Sequence, residues 1–225
     1  LAEEWDAGRI GLVVEGDREI EKVSCALDAT PAVLREAVGS GSDMLVVHHT
    51  PLWTPATSVT GSLASFLRAA LSSGIHVFVI HSNFDHAPGG INDALADLLR
   101  LENRRALSLG LAGDCPLSIP EIAENLHCPL AAWGEPDLPG SLAVAGGSAF
   151  SPDLVTEAAA AGARVFLSAE LRHSVARASP VPLLEATHYA LESPGMRALA
   201  GRMGWTYIDD PPVVRTWTPK SSGRT

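Results

Sequence analysis

The sequence predicts an α/β fold built as two similar lobes on mostly parallel or mixed sheets. Two observations predict it. Strand-length apolar runs alternate with helical patterns along the chain, as successive βα units require. The order of those signals in the first half then recurs in the second half.

Taken in order, Lys22–Ala26 is the first clear strand. Thr30-Pro31 supplies an N-cap and an N1 proline, opening a helix that runs to about Val38. Gly39 and Gly41 end it. Met44–Val47 is apolar throughout, as a strand buried on both faces must be. Gly61–Ser73 has helical periodicity and stops at Gly74. Ile75–Ile80 is the next strand and Asn92–Arg100 the next helix. Ser118-x-x-Glu121 is a capping box for a short helix. Cys128–Trp133 and Ser141–Ala145 read as strands. Ser151-Pro152 repeats the cap-and-proline pair before a helix to Ala161. Arg164–Ser168 and Val181–Ala186 are strands, Pro194–Met203 is a helix, and Trp205–Ile208 closes a sheet. The stretch from Pro211 to Thr225 is expected to be loosely ordered. The lobe boundary falls within 104–117. It gives lobes 1–108 and 109–225, with the strand near 205–210 packing back on the first lobe.

Composition narrows the function classes. The 225 residues are 46% hydrophobic, enough for a sizeable core, and the formal net charge is -10. Coating nucleic acid needs a basic surface, so this charge opposes that role. No apolar run reaches the ~20 residues of a membrane-spanning helix. Cys25, Cys115 and Cys128 are odd in number and lack CxxC spacing. They fit reduced thiols in a cytoplasmic protein, with Cys25 and Cys128 in core strands.

The repeat is specific enough to align. Pro31 falls on Pro152, Glu36 on Glu157, Ala37 on Ala158 and Gly41 on Gly162, without a gap. Leu45 then meets Phe166 and Val46 meets Leu167. Just beyond those strands lie His48-His49 in one copy and Ala169-Glu170 in the other. A second match pairs His81-x-x-x-Asp85 with His188-x-x-x-Glu192, each followed by a Pro-Gly pair. Duplication therefore predicts two lobes whose strand ends face one cleft. Functional residues of parallel sheets gather beyond such carboxyl ends.

Four histidines and three carboxylates then converge: His48, His49, His81, Asp85, Glu170, His188 and Glu192. Imidazole and carboxylate together suit iron, zinc or manganese. Adjacent strand residues point to opposite faces, so His48 and His49 more naturally serve two ions about 3.5–4 Å apart. The bland alternative is a set of ordinary loop polars, and Glu170 is equally a solvated helix-start carboxylate. His76, His127 and His173 read as structural residues, and His86 as a loop residue beside Asp85. The Gly146-Gly147-Ser148 turn either cradles a phosphate with its amides or is simply a tight turn.

Together these motifs resemble the GTP cyclohydrolase I type 2 homologs, also called Nif-three-like (Ngg-interacting-factor-three-like) proteins. The resemblance lies in Glu4-Trp5-Asp6 with Gly11-Leu12, in Leu45–Trp53 with its double histidine, and in His81–Leu95. Ala145–Ala149 and His188–Glu192 complete it, in the family's order. It implies a dinuclear metal centre between the lobes, with His48, His49, Asp85, His188 and Glu192 as ligands and Glu192 as the bridge. It also implies a homohexamer. Ala7-Gly8-Arg9 stands where the family has Asn-Val-Gly, Ala169 where it has glycine before the acid, and Thr187 where it has glycine. The inserted domain of longer members is missing, so the chain is similar to the short form.

The expected function is that of a metal-dependent hydrolase acting on a nucleotide, by opening the ring of GTP or by cleaving a phosphoester. Two cations would lower the pKa of a water and polarise the attacked centre. His81 or Glu170 would move protons, while Gly146–Ser148 and Arg172 would hold phosphates. The alternative is a non-enzymatic metal-binding regulator or scaffold.

Overall fold

In a computed structural model, which describes residues 1–215, the two repeats fold as equivalent strand–helix–strand units in separate sheets. A 3-10 turn at Glu4–Asp6 comes first. The first half then runs β1 (Gly11–Val14), β2 (Val23–Asp28), α1 (Pro31–Gly39), β3 (Met44–His49), α2 (Gly61–Ser73) and β4 (His76–Val79). The single-turn α3 (Ser82–Asp85) and α4 (Ile91–Leu98) follow. The second half runs β5 (Glu102–Ala106), β6 (Leu111–Cys115), α5 (Ile119–Leu126), β7 (Ala131–Trp133), β8 (Gly140–Val144), α6 (Pro152–Ala160) and β9 (Val165–Ser168). It ends with α7 (His173–Ala178), β10 (Leu183–Glu185), α8 (His188–Met203) and β11 (Thr206–Tyr207).

The first sheet has the order β1-β4-β3-β2-β11 and is parallel except for β1. The second has the order β5-β6-β8-β9-β10-β7, with β9 parallel to both neighbours and the outer pairings antiparallel. The duplication is visible in detail. Thr30 Oγ1 accepts from the Val33 amide at 3.1 Å, and Ser151 Oγ accepts from the Leu154 amide at 3.2 Å. Each caps one orphan donor of its helix. Gly41 (φ 75°) and Gly162 (φ 85°) then make the same left-handed turn.

Two helices, α4 and α8, lie between the sheets. Leu95, Leu99 and Leu191 pack on Leu142, Val144 and Leu167 of the second sheet. Ile91, Met196 and Ala200 pack on Cys25, Leu27 and Val46 of the first. The helices cross closely at Gly195, where a Cβ would lie 2.6 Å from Ile91 Cδ1 and 2.8 Å from its Cα. This shared layer brings the start of α8 and the segment before α4 against the end of β3.

The structure departs from the sequence reading in three of these elements. Helix α8 begins at His188, before Pro194, and the proline lies inside it. Thr187 Oγ1 caps it from the Ala190 amide, and burial of Leu191, Met196 and Ala200 holds the helix past the missing N–H. Strands β1, β5 and β6 had no clear pattern; β5 is exposed along its whole length. Cys128 precedes β7 and is half-buried, whereas Cys25 and Cys115 are buried. The expected loose tail lies partly outside the described residues. Among those described, no helix is long and apolar enough to cross a membrane.

Candidate metal centre

Three pieces of chain build the site. His48 and His49 end β3, His81 and Asp85 bracket α3, and His188 and Glu192 share the first turn of α8. Spacing i, i+4 puts the last two on one helix face, and His188 Nε2 lies 2.9 Å from Glu192 Oε2. His49 Nε2 approaches the same oxygen to 3.1 Å. On the other side, His48 Nε2 lies 3.4 Å from Asp85 Oδ1 and 3.9 Å from Glu192 Oε1. Two triads result, His48/Asp85/Glu192 and His49/His188/Glu192, each with donor atoms within 4.8 Å of one another. They share Glu192, whose two oxygens face different triads. His81 joins His48 and His49 in a third such group.

These atoms are close without being hydrogen-bonded. His48 Nε2, Asp85 Oδ1, His188 Nε2 and Glu192 Oε2 are buried and have no hydrogen-bond partner. Buried polar atoms are almost always paired, so an unpaired cluster calls for a ligand. Donors bound to one ion at roughly 2.0–2.2 Å sit about 3 Å apart, close to the separations found here. The nitrogen and oxygen donors therefore fit a divalent cation.

Carboxylates behind the histidines fix their orientation. His49 Nδ1 donates to Asp28 at 2.7 Å, His188 Nδ1 to Glu170 at 2.7 Å, and His81 Nδ1 to Asp6 at 3.0 Å. A carboxylate only accepts, so the proton sits on Nδ1 and Nε2 is left facing the site. Asp28 is directly opposite His49 in the β2–β3 register. Asp6 is fully buried and also accepts from the Ser82 amide at 3.0 Å and from its hydroxyl. Glu170 holds φ 60°, rare for a non-glycine residue, which places its carboxylate under His188. Asp28→Ala is expected to weaken metal affinity about 10–100-fold, the usual effect of losing such a partner. Competition against a chromophoric chelator would measure it.

The electrostatics suit exchange of protons for a cation. Burial dominates at His48 and lowers its pKa to about 3. At His49 burial acts in the same direction, but Asp28 and Glu192 overcome it and raise the pKa to about 10. At His188 burial again opposes, yet Glu192 and Glu170 raise it to about 9. Asp85 is pushed well up by burial and by the Glu192 charge. Burial would raise Glu192 as well, but the surrounding imidazoles hold it far below the usual carboxylate range. A divalent ion would displace the protons held on His49 and His188.

The centre opens into a cavity of about 680 Å³. Gly146, Gly147 and Ser148 line it. The Gly146 amide is engaged by Asn92 Oδ1 at 2.9 Å, and the Ala149 amide by Ser168 Oγ at 3.2 Å. Gly147 packs so tightly that a Cβ would lie 2.4 Å from Glu192 Oε1. Arg172 is exposed and lies outside the lining. The other histidines have local roles. His76 accepts from the Gly16 amide through Nδ1 and donates to the Arg18 carbonyl through Nε2. His127 ends α5 in the left-handed region, His173 starts α7, and His86 pairs with Glu3. Asp28 carries no signal of its own in the sequence, because only strand register reveals it. Asp6 stands out in the sequence only through the Glu4-Trp5-Asp6 motif.

Comparison with known proteins agrees with this architecture. The family model described as Duf34/NIF3 (NGG1p interacting factor 3) matches residues 1–209. A Streptomyces coelicolor protein named GTP cyclohydrolase 1 type 2 homolog is 35% identical, over 91% of this chain and 82% of its own length. Among solved structures, reduced HcgD from Methanocaldococcus jannaschii superposes with a TM-score of 0.77 at 28% identity, covering 92% of this chain and 89% of that one. The protein ybgI, described as of unknown function, superposes with a TM-score of 0.81 at 25% identity, covering 90% of each chain.

Proposed function

The chain belongs to the Duf34/NIF3 (NGG1p interacting factor 3) family, and from that premise we propose that it is a metal-dependent hydrolase that opens the ring of a nucleotide-type substrate at a dinuclear centre. The observation that carries this reading is the placement of Glu192, with one oxygen in each of two donor triads. His48, Asp85 and Glu192 would hold one ion, and His49, His188 and Glu192 the other. Iron, zinc and manganese all accept this sulfur-free donor set. When bound, the ions supply Lewis acidity and lower the pKa of a water.

The chain's own residues supply the remainder. Asp6 anchors His81 through Nδ1, leaving Nε2 to take and return a proton at the substrate. Glu170 is assigned to holding His188 rather than to moving protons, because its carboxylate is already engaged there. Gly147 gives the backbone room beside Glu192. The name carried by the curated relatives favours ring opening over phosphoester cleavage, and so does the cavity, which has no lysine or arginine in its lining among the described residues. Assembly as a homohexamer belongs to the same proposal.

The test is a turnover screen of iron-, zinc- and manganese-loaded protein against purine bases, nucleosides and nucleotides, following formate release and loss of ring absorbance. Ring opening that disappears with His48→Ala plus Asp85→Ala supports the hydrolase. Tight metal uptake with every ring left intact would instead make it a non-enzymatic metal-binding protein.

A further inference from the structure

Two features of the cavity bear on what it would bind beside a metal. The first is an aromatic wall. Trp5, on the 3-10 turn, and Trp53, on the loop after β3, both line the cavity yet remain 51% and 42% exposed. Both indoles stand edge-on to the same imidazole, that of His81, at 5.1 Å and at interplanar angles of 78° and 77°. Trp53 also lies 6.0 Å from the His49 ring. A single exposed tryptophan is unremarkable, but two large rings open to one cavity beside a polar centre form a ligand-contact surface.

The second feature is charge. Asp28, Asp85, Glu170, Glu192 and Asp210 line the cavity, and no lysine or arginine does so among the described residues. Proteins that hold phosphate by their own groups use arginine, lysine or free backbone amides. Here the Gly146 amide is taken by Asn92 and the Ala149 amide by Ser168, and no lysine or arginine stands beside the rest of the turn. Only the metal region offers positive charge, and carboxylates stand around it.

We propose that this cavity is a nucleobase site. It takes a flat, uncharged heteroaromatic ring, as a free base or nucleoside, against Trp5 and Trp53 and disfavours the phosphorylated form. The proposal deepens the hydrolase reading and rests on it for the nature of the ring. Stacking on an aromatic side chain is tolerant of ring identity, and its loss weakens binding roughly tenfold or more.

Calorimetry on the zinc-loaded protein, with guanosine and GMP as probes, tests it without requiring turnover. Guanosine is expected to bind at least about tenfold more tightly than GMP. Trp5→Leu and Trp53→Leu are each expected to weaken guanosine roughly tenfold while leaving metal content unchanged. Equal or tighter binding of GMP would overturn the proposal, as would undetectable guanosine binding. Unchanged guanosine affinity in both variants would also overturn it; if light scattering then finds an altered oligomer, the tryptophans belong to a subunit contact. Guanosine that binds but is never opened by any metal form would overturn the hydrolase reading and leave this one standing.

Discussion

Glu192→Gln is expected to lower metal affinity by more than about 100-fold and to reduce bound metal to a trace after dialysis. The substitution keeps the side chain's shape but removes the charge that faces both triads, at 2.9 Å from His188, 3.1 Å from His49 and 3.9 Å from His48. It should exceed Asp28→Ala, because loss of an outer partner typically costs only about 10–100-fold. The order of the two effects is therefore diagnostic. Elemental analysis of the dialysed proteins reads it directly. If Asp28→Ala lost more metal than Glu192→Gln, Glu192 would be a structural carboxylate.

Gly147→Ala is the second large effect, and it acts through the backbone. Gly147 has φ 69°, where an L-residue costs roughly 1–2 kcal/mol. Its Cβ would also lie 2.4 Å from Glu192 Oε1 and 3.4 Å from His188 Nε2. The carboxylate must move, and with it the oxygen that faces His48. We expect thermal stability to fall and metal affinity to fall with it. Gly162→Ala is the matched control. Gly162 has φ 85° but nothing within 4 Å of an added Cβ, so it should lose stability and keep its metal. Equal metal affinity in the two variants would show that the Gly147 contact does not position Glu192.

Much of this site was legible in the sequence because duplication puts the same chemistry at matched positions. The double histidine at the end of an apolar run could only lie at a strand end, and β3 does end at His49. The His-x-x-x-acid pairs marked Asp85 and Glu192. In the second pair Pro194-Gly195 resembles a helix start, whereas α8 already runs through it from His188. That difference matters physically: a helical i, i+4 pair places Glu192 against His188 by geometry alone. Asp28 was not legible, because its partner His49 is chosen by the β2–β3 register. Asp6 reaches His81 across a long stretch of chain, which no local pattern encodes. Strand β5, exposed throughout and without alternation, is held by its pairing to β6.

The central claim is that two ions share Glu192. Anomalous X-ray scattering at the iron, zinc and manganese edges, from crystals of protein loaded with each metal, measures it most directly. Two peaks about 3.5–4 Å apart are expected, one touching His48 and Asp85, the other His49 and His188, with Glu192 between them. A single peak at saturating metal, or two that leave Glu192 unbound, would contradict it.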